Sequence, residues 1–193
     1  VQPDFDPYNE KFGGLSAEEQ LSIIMKLAGE YATKETKLIT GPETAVVKTL
    51  WQDSLNNSAL IKELKNFMQN YKNAKFLLGI QSKKTVDKKA INSPAVRKDR
   101  LSGRFFKYYN SVVLLDQYGI TGLRNKSKLV IGVERMPFAN SFHFLENLIG
   151  DWGGLSETLG RDKKIRNLLF SDSLQIAPLI CFESAYGEFA AGF

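Results

Sequence analysis

Two segments of the chain space their apolar residues as amphipathic helices do. The first begins at Ser16, which forms a capping box with Glu19, a pattern in which the two side chains bond free amides at a helix start. Apolar residues follow at helical spacing, namely Leu21, Ile24, Met25, Leu27, Ala28 and Tyr31. The second runs from Asn57 to Tyr71 and places Leu60, Leu64, Phe67 and Met68 on one face. The pattern therefore predicts two helices with one buried face each.

Five short apolar segments have the composition of buried β-strands. They are Leu38–Thr40, Lys75–Ile80, Asn110–Asp116, Lys128–Val133 and Ser173–Ile180. The polar stretch from Gln81 to Ser102 is expected to be a long excursion between two of these strands. Strands that alternate with helices and are apolar on both faces are typical of layered α/β folds, so we predict the α/β class.

Composition places the chain among ordinary globular domains. Its 193 residues, 43% of them hydrophobic, fit one domain with a substantial core. The net charge of +5 is a mild bias that suits an anionic membrane surface or nucleic acid without selecting either. Basic residues cluster at Lys83, Lys84, Lys88, Lys89, Arg97, Lys98 and Arg100. Few aromatic residues interrupt that cluster, so we expect no nucleic-acid partner. No run of about 18 apolar residues is present that could span a bilayer.

The counts of cysteine and histidine exclude several kinds of site. A single cysteine, Cys181, rules out an intramolecular disulfide and a multi-cysteine zinc site. A single histidine, His143, cannot build a histidine-rich metal centre, and a Ser-His-Asp triad would depend entirely on it. An enzyme of this composition would therefore use carboxylates and lysines as acid and base, and we expect neither a metal nor a cofactor.

Two charged residues lie at the ends of predicted strands. Glu43 follows the first strand and the turn Gly41-Pro42, at the edge where α/β proteins bind ligands, and it could act as a general base. The alternative is an acidic residue in the first turn of a helix, where the macrodipole favours it. Lys126 directly precedes the predicted strand Lys128–Val133 and could stabilise an oxyanion. Lys128 could do the same, and either lysine could simply be solvated.

Cys181 is the third candidate. It follows the apolar run that ends at Ile180 and precedes Phe182-Glu183-Ser184, which indicates a strand, a sharp turn and a helix. A thiol at such a helix start is expected to have a lowered pKa, which suits a nucleophile. The alternative is a buried, inert cysteine. Spacing and composition allow a cysteine nucleophile with a carboxylate base, and they name no substrate.

The order Glu, Lys, Cys, each at a strand end, resembles the nitrilase (carbon-nitrogen hydrolase) superfamily, and the local motifs resemble its apolipoprotein N-acyltransferases. Gly41-Pro42-Glu43-Thr44-Ala45 is similar to the Pro-Glu-Thr motif around the family's base. Lys126-Ser127-Lys128-Leu129-Val130, followed by Glu134 and Pro137, is similar to its Lys-x-x-Leu-Val-Pro-Phe-Gly-Glu pattern, which selects Lys126 over Lys128. Ile180-Cys181-Phe182-Glu183-Ser184 resembles its Ile-Cys-Tyr-Glu nucleophile motif.

The resemblance implies a fold, a chemistry and partners. The fold would be a nitrilase-like α-β-β-α four-layer sandwich spanning 1–193, truncated at its C-terminus and lacking the parent protein's membrane-spanning region. Glu43, Lys126 and Cys181 would be catalytic, and Glu134 and Glu183 would orient the lysine and the nucleophile loop. The enzyme would move a fatty acyl group from a phospholipid, through a thioester, to the N-terminal amine of a diacylglyceryl-cysteine apolipoprotein. It would act at the bacterial inner membrane and face the periplasm.

The sequence departs from the family pattern at four positions. Ile131, Val133 and Phe182 replace the usual Pro, Gly and Tyr, and Arg124 stands where an aromatic residue often precedes the lysine. The aromatic segment between Phe138 and Leu155 could dip into a membrane or pack on the domain. As a fragment, the chain is expected to be inactive and to self-associate. A soluble amidase of the same superfamily and a non-catalytic interaction domain remain the alternatives.

Overall fold

The computed structural model describes residues 1–12, 14–87, 91–100, 102–131, 134 and 158–193. Its helices are α1 (Ala17–Tyr31), α2 (Ala59–Met68) and the short α3 (Gly187–Ala190). Its strands are β1 (Leu38–Thr40), β2 (Thr49–Trp51), β3 (Lys75–Thr85), β4 (Arg97–Lys98), β5 (Phe105–Asp116), β6 (Gly119–Asn125), β7 (Leu168–Leu169) and β8 (Gln175–Ile176). A π-helical turn spans Pro7–Lys11, and 3₁₀ turns span Gln52–Asn57 and Cys181–Ala185.

A mixed sheet of six strands is built around β3 and β5, which pair antiparallel over ten residues from Phe76↔Leu115 to Thr85↔Phe106. Two parallel strands share the other edge of β3: β1 pairs with its first residues and β2 with Gln81 to Lys83. Likewise β6 and β4 share the other edge of β5, antiparallel to it. Each outer edge of this sheet is therefore interrupted near its middle, between β1 and β2 on one side.

The main core lies between one face of this sheet and the helices α1 and α2. Alternate residues of β3 point to that face, because side chains along a strand alternate between its two sides. They pack with the apolar stripes of the two helices, and the fully buried members include Leu21, Ile24, Leu64, Phe76 and Leu78. On the opposite face a smaller cluster joins β5 to the C-terminal segment through Val112, Leu114, Leu168 and Ile180. The described residues thus give a helix layer on one side and a second apolar surface on the other.

The predicted α/β class is confirmed, and most predicted elements are present. Ser16 and Glu19 form both hydrogen bonds of the capping box at the start of α1. The second helix is shorter than the predicted Asn57–Tyr71, because Ser58 caps it and a 3₁₀ turn precedes it. Strand Leu38–Thr40 has the predicted bounds, whereas the strands predicted at Lys75–Ile80 and Asn110–Asp116 extend to Thr85 and back to Phe105. Among the described residues, no helix combines the length and apolar character needed to cross a bilayer.

The strand predicted at Lys128–Val133 is misplaced, and the strand predicted at Ser173–Ile180 is too long. In the described part of the segment Lys128–Val133, only Ile131 forms an isolated β-bridge, and the strand lies earlier, at Gly119–Asn125. The physical reason is that the backbone N–H of Lys128 donates to the Glu183 carboxylate instead of to a neighbouring strand. Of Ser173–Ile180, only Gln175–Ile176 pairs as strand, because Pro178 has no N–H and Ile180 donates its own to Glu183. The aromatic segment from Phe138 to Leu155 lies outside the described residues.

Candidate active site

Glu43 lies in the loop between β1 and β2, where the edge of the sheet is interrupted. The loop stays attached to β3, because Gly79 donates its N–H to Pro42 O at 3.1 Å and accepts from Ala45 N at 2.9 Å. This close approach requires glycine at 79: an added Cβ would stand 2.6 Å from the Cα of Glu43 and 2.6 Å from Pro42 O. The backbone of β3 therefore fixes the position of Glu43, whose side chain is 32% exposed.

Lys126 is the first residue after β6, and its N–H donates to Asn110 O on β5 at 2.8 Å. Its side chain is 1% exposed, and its Nζ donates to Glu134 Oε1 at 2.9 Å and to Glu43 Oε1 at 3.3 Å. Burial alone would favour the neutral amine, but the hydrogen bond to Glu134 and the negative charges of Glu43 and Glu134 raise the pKa of Lys126. The lysine is therefore a buried, protonated ammonium held between two carboxylates.

Asn110 and Glu134 complete the hydrogen bonding around this ammonium. The amide of Asn110 donates to Glu134 Oε1 at 3.0 Å and makes a short hydrogen bond to Glu43 Oε1. The other oxygen of Glu134 accepts the N–H of Val130 at 2.9 Å, which closes the loop after Lys126. Glu134 thus fixes both the lysine side chain and the loop that carries it. Asn110 had entered the sequence interpretation only as part of a strand.

Cys181 begins the 3₁₀ turn Cys181–Ala185, and its backbone φ of +48° lies in the left-handed region that non-glycine residues rarely adopt. The residue is exposed as a whole. Partial loss of solvent around its sulfur, together with the charge and hydrogen bond of Glu43, raises the pKa of the Cys181 thiol. The positive charge of Lys126 and the N–H of Phe182 oppose this shift without reversing it. The expected lowered pKa is therefore wrong, because partial burial of the sulfur and the negative charge of Glu43 both favour the neutral thiol.

A buried ion pair connects the lysine loop to the turn of Cys181. Arg124 Nη2 donates to both carboxylate oxygens of Glu183, at 2.7 and 2.8 Å, and both side chains are 0% exposed. Glu183 also accepts backbone N–H groups from Ser127 at 2.6 Å, Lys128 at 3.2 Å and Ile180 at 2.9 Å. One carboxylate therefore joins residues on both sides of the site, as its predicted orienting role requires.

Arg124 has further partners in the C-terminal segment. Its Nη1 donates to Pro178 O at 2.7 Å, and its guanidinium lies 5.5 and 5.1 Å from the ring centroids of Phe189 and Phe193. A guanidinium at such a distance from aromatic rings gains a cation–π interaction. Sequence reasoning noted Arg124 only as a departure from the family pattern. The sequence carried no signal for its burial, because Arg124 lies outside every predicted strand and only the structure places it in β6.

A second polar network lies on the helix side of the sheet, beneath the lysine loop. Ser111 Oγ bonds Ser82 Oγ at 2.6 Å and Asn125 Oδ1 at 2.8 Å. Gln52 donates to the same serine and asparagine of this group, Ser82 Oγ at 2.8 Å and Asn125 Oδ1 at 2.7 Å. Asn125 in turn donates to Asp162 Oδ1 at 3.0 Å. The residue before Lys126 is thus tied to three other elements, and sequence reasoning missed this network.

The structure brings together the carboxylate, ammonium and thiol that the sequence singled out. Glu43 and Lys126 are in direct contact. Both charges act on the pKa of the Cys181 thiol: Glu43 raises it and Lys126 lowers it. Within the described part of the chain, no group of three histidine, cysteine or acidic residues is arranged to hold a metal ion. The arrangement offers a proton acceptor, a fixed positive charge and a nucleophile, which are the parts needed for acyl transfer through a covalent intermediate.

Comparison with solved structures finds chains of low sequence identity that resemble part of this protein, among them two synthetases. Glutamine-dependent NAD⁺ synthetase from Acinetobacter baumannii superposes with a TM-score of 0.40 and 14% identity, covering 80% of this chain and 23% of that protein. The enzyme of the same name from Cytophaga hutchinsonii gives 0.36 and 12%, covering 82% and 22%. No family model matches the chain.

Among curated proteins, the apolipoprotein N-acyltransferase of Chlorobaculum tepidum is 30% identical to this chain over 191 residues. The match covers 96% of this chain and 34% of that protein, so the chain spans about a third of the length of the curated relative it matches. The resemblance to the apolipoprotein N-acyltransferases that the sequence motifs indicate is confirmed by this similarity, which extends over nearly the whole chain.

Proposed function

We propose that this chain is the catalytic domain of a bacterial apolipoprotein N-acyltransferase, with Glu43, Lys126 and Cys181 as its catalytic residues. The observation that carries the proposal is the buried ammonium of Lys126, 1% exposed and held between Glu43 and Glu134, beside a thiol that responds to its charge. The similarity to a protein of that name over 96% of the chain supports the choice of reaction.

In the first half-reaction, Glu43 takes the proton of the Cys181 thiol as the sulfur attacks the carbonyl carbon of a phospholipid ester. A thiol with a raised pKa needs such a base, because little thiolate is present at neutral pH. The ammonium of Lys126 stabilises the oxyanion of the tetrahedral intermediate. The ester C–O bond then breaks, Glu43 returns the proton to the departing oxygen, and a thioester and a lysophospholipid result.

In the second half-reaction, the acyl group passes to an amine. The α-amine of a diacylglyceryl-cysteine apolipoprotein attacks the thioester carbon, and Glu43 accepts one of its protons. The C–S bond breaks as the amide forms, and the proton moves from Glu43 to the sulfur, which restores the thiol. Lys126 stabilises this second oxyanion in the same place. Phospholipid and apolipoprotein are therefore the partners, at the periplasmic face of the inner membrane.

Glu134 and Glu183 are positioning residues in this proposal. Glu134 holds the ammonium of Lys126 and closes its loop, as its hydrogen bonds at 2.9 Å to Nζ and to Val130 N indicate. Glu183 joins that loop to the turn of Cys181 through backbone N–H groups on both sides. Catalytic groups must be held within about 0.5 Å of their working positions, and buried hydrogen bonds of this kind supply that constraint.

The test is covalent labelling of the complete gene product that contains this chain. It is purified in detergent and incubated with a phospholipid bearing a fluorescent acyl chain. We expect a fluorescent thioester on Cys181 that hydroxylamine removes and that a synthetic diacylglyceryl-cysteine peptide discharges. Cys181→Ser and Glu43→Gln are expected to abolish the label.

A control separates the base from the nucleophile in the Glu43→Gln variant. Because the charge of Glu43 raises the pKa of the thiol, its removal is expected to speed alkylation of Cys181 by iodoacetamide while thioester formation stops. Labelling that survives either substitution, or no labelling of the unchanged protein, contradicts the proposal. Discharge by water at the same rate as by the peptide would indicate a hydrolase instead.

A further inference from the structure

The positive charge of the protein is concentrated in one segment, residues 81–108, which we name the basic hairpin. It contains nine basic and two acidic residues, a formal charge of +7, whereas the whole chain carries +5, so all other residues together carry −2. Its exposed basic side chains include Lys84, Lys98, Arg100 and Arg104. The described residues 81–87, 91–100 and 102–108 alone carry seven basic and two acidic side chains, and such a concentration of positive charge attracts anions.

The basic hairpin projects from the part of the sheet that carries the candidate active site. Strands β3 and β5 pass Gly79 and Asn110, the residues that contact the Glu43 loop, and remain paired beyond them to Thr85↔Phe106. At about 3.3 Å per residue, Thr85 stands roughly 20 Å beyond Gly79. The charged part of these two strands therefore begins next to the candidate site and leads away from it.

A row of aromatic rings runs along the inner part of the hairpin. Lys83 Nζ lies 4.4 Å from the ring centroid of Trp51 and 5.4 Å from that of Phe106. Phe106 packs edge-to-face against Trp51 at 5.7 Å and against Tyr108 at 5.0 Å. Phe106, Tyr108 and Asn110 alternate along β5 and so share one of its faces. None of these three rings is exposed, so they form the packed base of the hairpin, and its exposed basic side chains form the surface that can meet a ligand.

A basic surface of this kind could bind either a layer of phosphate headgroups or a nucleic acid. The arrangement of the aromatic rings favours the phosphate headgroups. Binding of single strands uses ring faces on which bases stack. Here the rings pack edge-to-face on one another, Lys83 covers two of them, and Phe106 is only 6% exposed. The charges on the hairpin need no such stacking to bind phosphates on a membrane surface.

We propose that the basic hairpin binds the phosphate headgroups of an anionic phospholipid surface and holds that surface beside the turn of Cys181. The inference rests on the proposed function, in which a phospholipid ester is the acyl donor. Each basic side chain near such a surface contributes about fivefold in affinity. Removing three of them should therefore weaken binding by at least tenfold, since contributions of neighbouring charges are not fully additive.

The experiment is sedimentation of the 193-residue chain, carrying Cys181→Ser to prevent acyl transfer, with vesicles. One set contains phosphatidylcholine alone and the other contains added phosphatidylglycerol. The hairpin variant replaces three exposed residues by glutamine: Lys84, Lys98 and Arg104. The matched control replaces three exposed lysines on the helix side by glutamine: Lys26, Lys34 and Lys62. Circular dichroism and the urea midpoint verify that both variants remain folded.

We expect binding to the anionic vesicles only, a loss of at least tenfold in the hairpin variant and a change within about twofold in the control. Equal losses in both variants, or binding to the neutral vesicles, would overturn the inference. So would tighter binding of a single-stranded oligonucleotide that displaces the vesicles. The thioester assay in detergent contains no bilayer, so it tests the proposed function separately from membrane binding. Loss of vesicle binding would leave the proposed function intact, and absence of the thioester would leave the vesicle binding intact.

Discussion

Replacing Arg124 by methionine removes the cation from the buried pair with Glu183 and keeps much of the side-chain volume. Both members of the pair are 0% exposed, and the distances are 2.7 and 2.8 Å. Removing one partner of a buried pair costs about 3–5 kcal/mol, because the other charge stays buried and unpaired. Glu183 keeps three backbone N–H donors, so we expect the lower part of that range, about 3 kcal/mol.

The chain offers a matched control in the exposed ion pair of Lys48 with Glu18. Its atoms are 2.6 Å apart, but the two side chains are 47% and 51% exposed. Water screens such a pair, so Lys48→Met is expected to cost about 0–1 kcal/mol. Glu183→Met should cost more than Arg124→Met, because it leaves the guanidinium and the N–H groups of Ser127 and Ile180 without their acceptor.

Urea unfolding followed by tryptophan fluorescence measures all three variants. For a protein of this size, 3 kcal/mol corresponds to a fall in the urea midpoint of about 1–2 M, against less than about 0.5 M for Lys48→Met. Alkylation of Cys181 provides a second measurement, because a loosened turn should react faster with iodoacetamide. Equal midpoints for Arg124→Met and Lys48→Met would show that the ion pair does not hold the two loops together.

Two further predictions concern the candidate site itself. Gly79→Ala should destabilise the fold by about 1–3 kcal/mol, because its Cβ would stand 2.6 Å from Glu43 Cα. Gly29→Ala in α1 is the control: its Cβ would have no contact under 3.7 Å, so it should stabilise the fold by about 0.5–1 kcal/mol. Shifts of the urea midpoint in the same direction for both variants would contradict this prediction. Titrating the alkylation rate of Cys181 against pH should give a lower midpoint in Glu43→Gln and a higher one in Lys126→Met, because the carboxylate favours the neutral thiol and the ammonium favours the thiolate. Midpoints that stay unchanged in both variants would show that neither charge acts on the sulfur.

Elements determined by neighbours in sequence could be predicted from the sequence. The capping box at Ser16 depends on residues three positions apart, and the start of α1 follows from it. The predicted strand at Lys128 failed because its N–H could pair with a strand or with Glu183, and that choice depends on a residue 55 positions away. The extent of β3 beyond Ile80 was hidden by the polar residues from Gln81 to Thr85, which backbone pairing with β5 holds in a strand.

For the candidate site, the sequence predicts which residues carry the chemistry, but it does not predict how their charges change one another's pKa. Glu43, Lys126 and Cys181 could be singled out because each carries chemistry at a turn that follows an apolar segment. The direction of the Cys181 pKa shift depends on the burial of the sulfur and on the opposing charges of Glu43 and Lys126, which no local sequence pattern contains. Arg124 was recognised only as unusual, because its partner Glu183 lies 59 residues away in sequence.

The hydrogen-bonded group of Gln52, Ser82, Ser111 and Asn125 has a consequence for how the protein can vary. A slip of one residue between β3 and β5 would turn Ser111 to the other face of the sheet and leave buried hydroxyls without partners, so these contacts act as a latch on the strand alignment. The latch stands between the Glu43 loop and the outer hairpin. Insertions or deletions beyond these contacts are therefore expected not to change the strand alignment at Gly79, so Glu43 and its loop stay in place. A change in the length or charge of the connection between β3 and β5 is therefore expected to leave the geometry of the candidate site unaltered.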